Sequence, residues 1–157
     1  MRIPRVYIET SIFNFVFAND APDKRQDTLK LFAEIKEGRY EAYTSAYTVQ
    51  ELEQASEPKR EKMLALFNEY SVKILDTDVE AERLADVYVA EGIIPAKYAT
   101  DGQHIAMAAI KGLDFIVSLN FKHIVKRKTI EMTEIINYRE GYKKVGIYSP
   151  AEVIEND

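Results

Sequence analysis

Residues 101–119 read DGQHIAMAAIKGLDFIVSL, and this stretch decides the fold. Asp101 to Ile110 is an Ala-rich run that reads as a helix, and Gly112 supplies its stop signal. Phe115-Ile-Val-Ser-Leu119 is the clearest strand in the chain, short and apolar with β-forming residue types. A helix that leads directly into a buried strand suits a right-handed crossover in a parallel sheet. The same alternation recurs upstream. Val6-Tyr7-Ile8, Glu41-Ala-Tyr-Thr44 and Val72-Lys-Ile-Leu75 read as strands. Helices are predicted over 24–37, closed by Gly38, and from Ala46 to Ala55, ending before Pro58. Met63, Leu66, Phe67 and Tyr70 mark the apolar face of another helix, and Ala81, Leu84, Ala85 and Tyr88 the face of a fourth. Glu91 to Pro95 interrupts the pattern; after Leu119 a helix is predicted over Phe121–Ile136 and a last strand over Val145–Tyr148. The expected architecture is one α/β domain over residues 1–157, with helices covering a mainly parallel sheet.

Composition narrows the chemistry. Apolar residues make up 46% and charged residues 30% of the 157, which is ordinary for a globular domain. No stretch approaches the roughly 18 apolar residues of a membrane span, and no signal-peptide core is recognisable, so a cytoplasmic protein without membrane contact is expected. There is no cysteine and there are two histidines, which excludes thiolate sites and the usual zinc sites. Any metal must be held by oxygen. The net charge of −5 gives no general attraction to nucleic acid, so such a partner needs a local basic patch.

Ligands of open α/β sheets collect outside the carboxyl ends of the strands. Glu9 closes the first strand, Asp76 follows the third, Asn120 follows Phe115–Leu119, and Asp101 opens the helix before it. Glu51 lies inside the helix after Thr44 and shares its side with Thr48 and Ala55, small residues that leave room for a charged head. Each residue alone has a plainer use. Glu9 reads as a strand-end residue or a cap, Asp101 as an N-cap, Asp76 and Asp78 as caps, and His104 as a packed or hydrogen-bonded residue. The Lys122–Lys128 run reads equally as a solvated helix face or a phosphate patch. Together the carboxylates are harder to dismiss, because acids gathered at one sheet edge repel and lose hydration unless a cation neutralises them. An oxygen-only cluster suits Mg²⁺ or Mn²⁺, and phosphodiester hydrolysis is the natural chemistry of such ions.

Tyr-Ile-Glu-Thr-Ser (7–11), Thr-Ser-x-x-Thr-x-x-Glu-Leu (44–52), Thr-Asp-x-x-His-Ile-Ala (100–106) and Phe-Ile-Val-Ser-Leu-Asn-Phe-Lys-His-Ile (115–124) occur in the order seen in PIN domains. The chain resembles the PIN-domain toxins of VapBC-type toxin-antitoxin pairs over nearly its whole length. The resemblance implies a three-layer α/β/α domain and a metal-dependent endoribonuclease. It further implies that Glu9, Glu51, Asp101 and Asn120 form the metal site for Mg²⁺ or Mn²⁺, with Ser11 and Ser118 beside it. Two positions depart from the family pattern. The first acid is Glu rather than the commoner Asp, and the fourth is Asn, which keeps an oxygen but loses a charge.

The expected partners are RNA, a separate antitoxin chain and a second copy of this chain. Lys122, Lys126–Lys128, Lys24 and Arg25 are the candidates to guide the RNA backbone. Phe13, Phe15 and Phe17 with the 24–37 helix are candidates for a partner groove or a homodimer face, and equally for core packing. The alternative function is a weak or inactive PIN-fold module that binds RNA or a protein, which Asn120 favours. A nucleotide-binding protein of another kind is disfavoured, since neither a phosphate loop nor G-x-G-x-x-G is present.

Overall fold

Val6 and Ile8 pack into one apolar cluster while Tyr7, between them, packs into the other. This period-two alternation sets the layering, because successive strand residues face opposite sides of a sheet. The computed structural model describes residues 2–155; Met1, Asn156 and Asp157, the ends of the expected 1–157 domain, lie outside the described residues.

In chain order the elements are β1 (Arg5–Ile8), α1 (Thr10–Phe15), α2 (Pro22–Lys36), β2 (Glu41–Ser45), α3 (Ala46–Leu52), α4 (Lys59–Glu69) and β3 (Lys73–Leu75). Then come α5 (Val79–Ala90), a 3-10 turn (Ala96–Tyr98), α6 (Ala99–Ile110), β4 (Phe115–Val117), α7 (Arg127–Arg139), β5 (Gly146–Tyr148) and α8 (Pro150–Val153). The sheet order is β3-β2-β1-β4-β5, and every pairing is parallel. The expected mainly parallel sheet is thus wholly parallel. Tyr7 lies opposite Tyr43 of β2 and Ile116 of β4. The chain runs outward from β1 to β3 on one side and then crosses to β4 and β5 on the other. Such a reversal opens a crevice at the carboxyl edge, here between β1 and β4.

Residues of α1, α2, α4 and α8 close one face, and residues of α5, α6 and α7 close the other. Phe13 is fully buried, with ring centroids 5.8 Å from Phe32 and 4.9 Å from Phe67, so of its two expected uses core packing is the one observed. Gly102 fixes how closely α6 lies on α5: a Cβ there would meet Ile94 and Tyr88 at 3.3 Å. That close approach seats the first turn of α6, and Asp101 with it.

Two helices, α1 and α8, are additional to the sequence-based expectation, and several boundaries shift, among them β4, which ends at Val117 rather than Leu119, and α6, which begins at Ala99 rather than Asp101. α1 follows β1 after a single residue because the Glu9 side chain accepts the Ser11 backbone N–H as an N-cap. α8 is held by a Ser149–Glu152 capping box with Pro150 behind the cap. α3 stops at Leu52 rather than at Ala55. The helix expected from Phe121 starts only at Arg127, because Asn120 closes a turn instead. Its carbonyl accepts from Ile124 N at 3.1 Å and Val125 N at 2.8 Å, and its Oδ1 accepts from His123 N at 2.9 Å. Among the described residues no helix is long and apolar enough to cross a membrane.

Candidate active site

Glu9 sits at the β1 end of the crevice and is buried. Its Oε1 accepts three bonds, from Ser11 Oγ at 2.5 Å, Ser118 Oγ at 2.6 Å and Ser11 N at 3.2 Å. Ser11 Oγ also accepts Leu119 N at 2.8 Å, and Ser118 Oγ accepts Asn120 N at 2.9 Å. Both hydroxyls therefore staple the segment after β4 to the acid after β1. Burial raises the Glu9 carboxyl above its ordinary value, against the opposing charge of His104 and the two hydroxyl bonds.

Glu51 projects from the last turn of α3 and accepts Thr10 Oγ1 at 2.7 Å. Thr10 Oγ1 also lies 3.3 Å from the hydroxyl of buried Thr48, the small neighbour noted in the sequence. The stronger partner is His104, whose Nε2 lies 2.5 Å from Glu51 Oε1. His104 is wholly buried, and its Nδ1 lies 2.6 Å from the Tyr7 hydroxyl. Tyr7 lies 2.6 Å from Ser45 Oγ, which accepts Tyr47 N at 3.2 Å. One assignment satisfies this chain throughout: both imidazole N–H groups donate, to Glu51 and to Tyr7, and Tyr7 donates to Ser45. Burial presses the imidazole toward neutrality, but the Tyr7 oxygen, Glu51 and Glu9 outweigh it and hold His104 well above its ordinary value. Desolvation likewise pulls Glu51 upward, and the bond and charge of His104 with the Thr10 hydroxyl overcome it, leaving that carboxyl below its usual range.

Asp101 lies inside the first turn of α6 and is not its cap, since the helix begins at Ala99. His123 Nδ1 donates to its Oδ2 at 2.9 Å. The His123 ring is stacked on Tyr98 with centroids 4.3 Å apart. Glu51 joins Thr10, next to Glu9; Glu9 joins Ser118, Asn120, His123 and Asp101 in turn. All four expected site residues thus sit on one connected run of bonds. Asp76 and Asp78 stay outside it. Asp78 caps α5 through Glu80 N at 2.8 Å, and Asp76 accepts Thr77 N at 2.9 Å. Sequence reasoning passed over His123, Thr10 and the Tyr7–Ser45 pair. The one available signal was the Asn120-x-x-His123 spacing, in which an Asn side chain accepts the N–H three residues on.

The expected basic guides divide. Arg127 is turned to Glu131 at 2.8 Å, and Arg25 Nε donates to the Val16 carbonyl at 2.8 Å. Lys24 lies over the rings of Phe15 and Phe121, at 5.8 and 5.4 Å from their centroids.

No family model matches the chain, and no curated protein does either. Solved structures do match. A chain in the crystal structure of VapBC2 from Rickettsia felis, bound to a DNA fragment from its promoter, is similar at 18% identity and a TM-score of 0.57, covering 91% of this chain and 98% of that one. A chain in the DNA-bound VapBC structure from Salmonella typhimurium is similar at 17% identity and a TM-score of 0.54, covering 94% of this chain and 98% of that one. The chain has a PIN-like fold. At these identities the likeness establishes architecture, and the PIN-like crevice has to be read from its own residues.

Those residues suit a hard divalent cation in their chemistry: two carboxylates, Glu9 and Asp101, an amide at Asn120 and a further carboxylate at Glu51, with no sulfur. Among the described residues no three Asp, Glu or His side chains form a ready ligand cage. Mg²⁺ does not demand one, because it keeps several waters and is bound through one or two carboxylates together with substrate phosphate. The donor set fits on that basis.

Proposed function

We propose that the protein is a divalent-metal-dependent endoribonuclease, the toxin of a toxin-antitoxin pair. The observation that carries this reading is the connected run of bonds joining Glu9, Asn120 and Asp101, with Glu51 beside it, in the crevice between β1 and β4. Glu9, Asp101 and Asn120 would hold Mg²⁺ or Mn²⁺, and Glu51 would bind it or orient the attacking water. When bound, such an ion supplies Lewis-acid polarisation of a phosphate and a water acidic enough to attack it. The chain's own residues supply position. Ser11 and Ser118 fix the Glu9 carboxylate, His104 keeps Glu51 ionised, and His123 fixes Asp101.

An antitoxin chain is proposed because the similar solved structures are VapBC assemblies on DNA. A homodimer is proposed as well, and light scattering of the purified chain tests it. The activity is tested by incubating the purified protein with total RNA and Mg²⁺ or Mn²⁺. Cleavage that stops with EDTA and in Asp101→Ala is expected; metal-independent cleavage, or cleavage unchanged in that variant, contradicts the mechanism.

A second reading, a binding module without cleavage, is favoured by Asn120 alone. With an amide there, the four site positions carry three formal charges, on Glu9, Glu51 and Asp101.

A further inference from the structure

Three lysines near the crevice, Lys122, Lys126 and Lys128, line a single groove. This groove of about 480 Å³ runs between the segment ahead of the 3-10 turn, which contributes Ile93 and Pro95, and the turn after β4, which contributes Lys122, His123 and Lys126. Lys128, at the start of α7, completes the rim and donates to the Gly92 carbonyl at 2.9 Å. Among the described residues lining this groove none is acidic, in a chain with 26 acids and a net charge of −5. The groove is also joined to the candidate active site by one residue, since the His123 that lines it donates to Asp101.

Two aromatic rings stand exposed nearby. Tyr98 is 37% exposed, stacks on His123 and has the ammonium groups of Lys97 and Lys122 at 5.8 and 5.7 Å from its centroid. Phe121, 46% exposed, is the residue before Lys122. Lysines alone recognise any phosphate backbone, paired or not. Exposed rings beside them add a surface on which bases stack, and only unpaired bases are free to use it.

We propose that this groove binds an unpaired RNA strand leaving the crevice past His123, with phosphates on Lys122, Lys126 and Lys128 and a base stacked on Tyr98. The proposal rests on the ribonuclease reading for its substrate class, and its test separates the two. Fluorescence anisotropy with a labelled twelve-nucleotide oligo(U) in EDTA measures binding without cleavage. The triple variant Lys122→Ala/Lys126→Ala/Lys128→Ala is expected to bind at least tenfold more weakly. The slope of log affinity against log salt is expected to become shallower by about 2, at roughly 0.7 per single-strand phosphate contact. Tyr98→Ala is expected to lose roughly fivefold or more. The double variant Lys143→Ala/Lys144→Ala, beyond the groove, is expected to bind as the wild type does.

Unchanged binding by the triple variant overturns the proposal, and so does an equal loss in the Lys143/Lys144 control. Equal affinity for an RNA duplex of the same length overturns it too, as does equal affinity for a poly-glutamate peptide. If the wild type cuts RNA with Mn²⁺ while the triple variant binds and cuts normally, the groove assignment fails and the nuclease reading stands. If the groove binds RNA but no divalent ion supports cleavage, the nuclease reading fails and the groove assignment stands.

Discussion

Two imidazole–carboxylate pairs border the crevice, and they are built differently. His104–Glu51 lies beneath it: the ring is wholly buried, donates at both nitrogens and reaches Ser45 through Tyr7. His123–Asp101 lies at its mouth: the ring belongs to a turn, stacks on the exposed Tyr98 and faces a basic groove. The His104 ring has nothing but protein around it, whereas the Glu51 side chain is 37% exposed, so the pair is anchored in the interior at its ring end only. The second pair lies just below the surface, with side chains 10% and 13% exposed, and its ring borders a groove that water can enter. Similar chemistry thus acts as a foundation in one place and as a more adjustable contact in the other, and what surrounds each ring makes the difference: protein bonds at both nitrogens for His104, one bond and a groove wall for His123.

Substitutions break the comparison most directly. His104→Ala leaves a cavity in the interior and the Tyr7 oxygen without its donor, while Glu51 turns to water, and a loss of about 2–4 kcal/mol is expected in urea unfolding. His123→Ala removes a bond that water replaces, and about 0.5–1.5 kcal/mol is expected. Equal losses in the two variants would mean that the surroundings of the rings do not distinguish the pairs.

An ion pair away from the crevice sharpens the scale. Asp114 accepts Arg2 at 2.7 and 2.8 Å and the Arg5 backbone N–H at 2.7 Å, tying the chain ahead of β1 to the start of β4. The Arg2 guanidinium holds the Asp114 carboxyl well below the usual carboxylate range, with the Arg5 bond adding to it against some desolvation. A depressed carboxyl contributes stability that is present above its unfolded value, about 3.9, and is lost as pH falls through the lower folded value. The advantage of the wild type over Asp114→Asn is therefore expected to be full at neutral pH and to shrink in acid. Its size is expected below about 1 kcal/mol, since Arg2 is exposed and screened. Unfolding curves from pH 7 to pH 3 check this; an advantage that grows in acid would contradict it.

The sheet was legible because its strands are apolar runs set between helical repeats, and because the Val6–Tyr7–Ile8 alternation needs two covered faces. α1 was not legible, since six residues following a strand carry too little periodicity to register. The start of α7 was misplaced because Asn120 spends its carbonyl and its side chain on a turn, a choice that helical propensity does not reveal. Glu9, Asp101 and Asn120 stood out in the sequence at strand ends and a helix start, but their grouping as one site came from the family resemblance. Glu51 stood out by the small Thr48 on its side, which the structure places beside Thr10. Their histidine partners did not stand out, because Glu51 and His104 lie 53 residues apart and meet only once α3 and α6 have packed.

Calorimetric titration of Mn²⁺ into the purified chain tests most directly whether the crevice between β1 and β4 is a metal site. Saturable binding that is lost in both Glu9→Gln and Asp101→Asn is the expected result. No binding at millimolar Mn²⁺, or binding unchanged in both variants, would contradict it and leave the fold as a binding module.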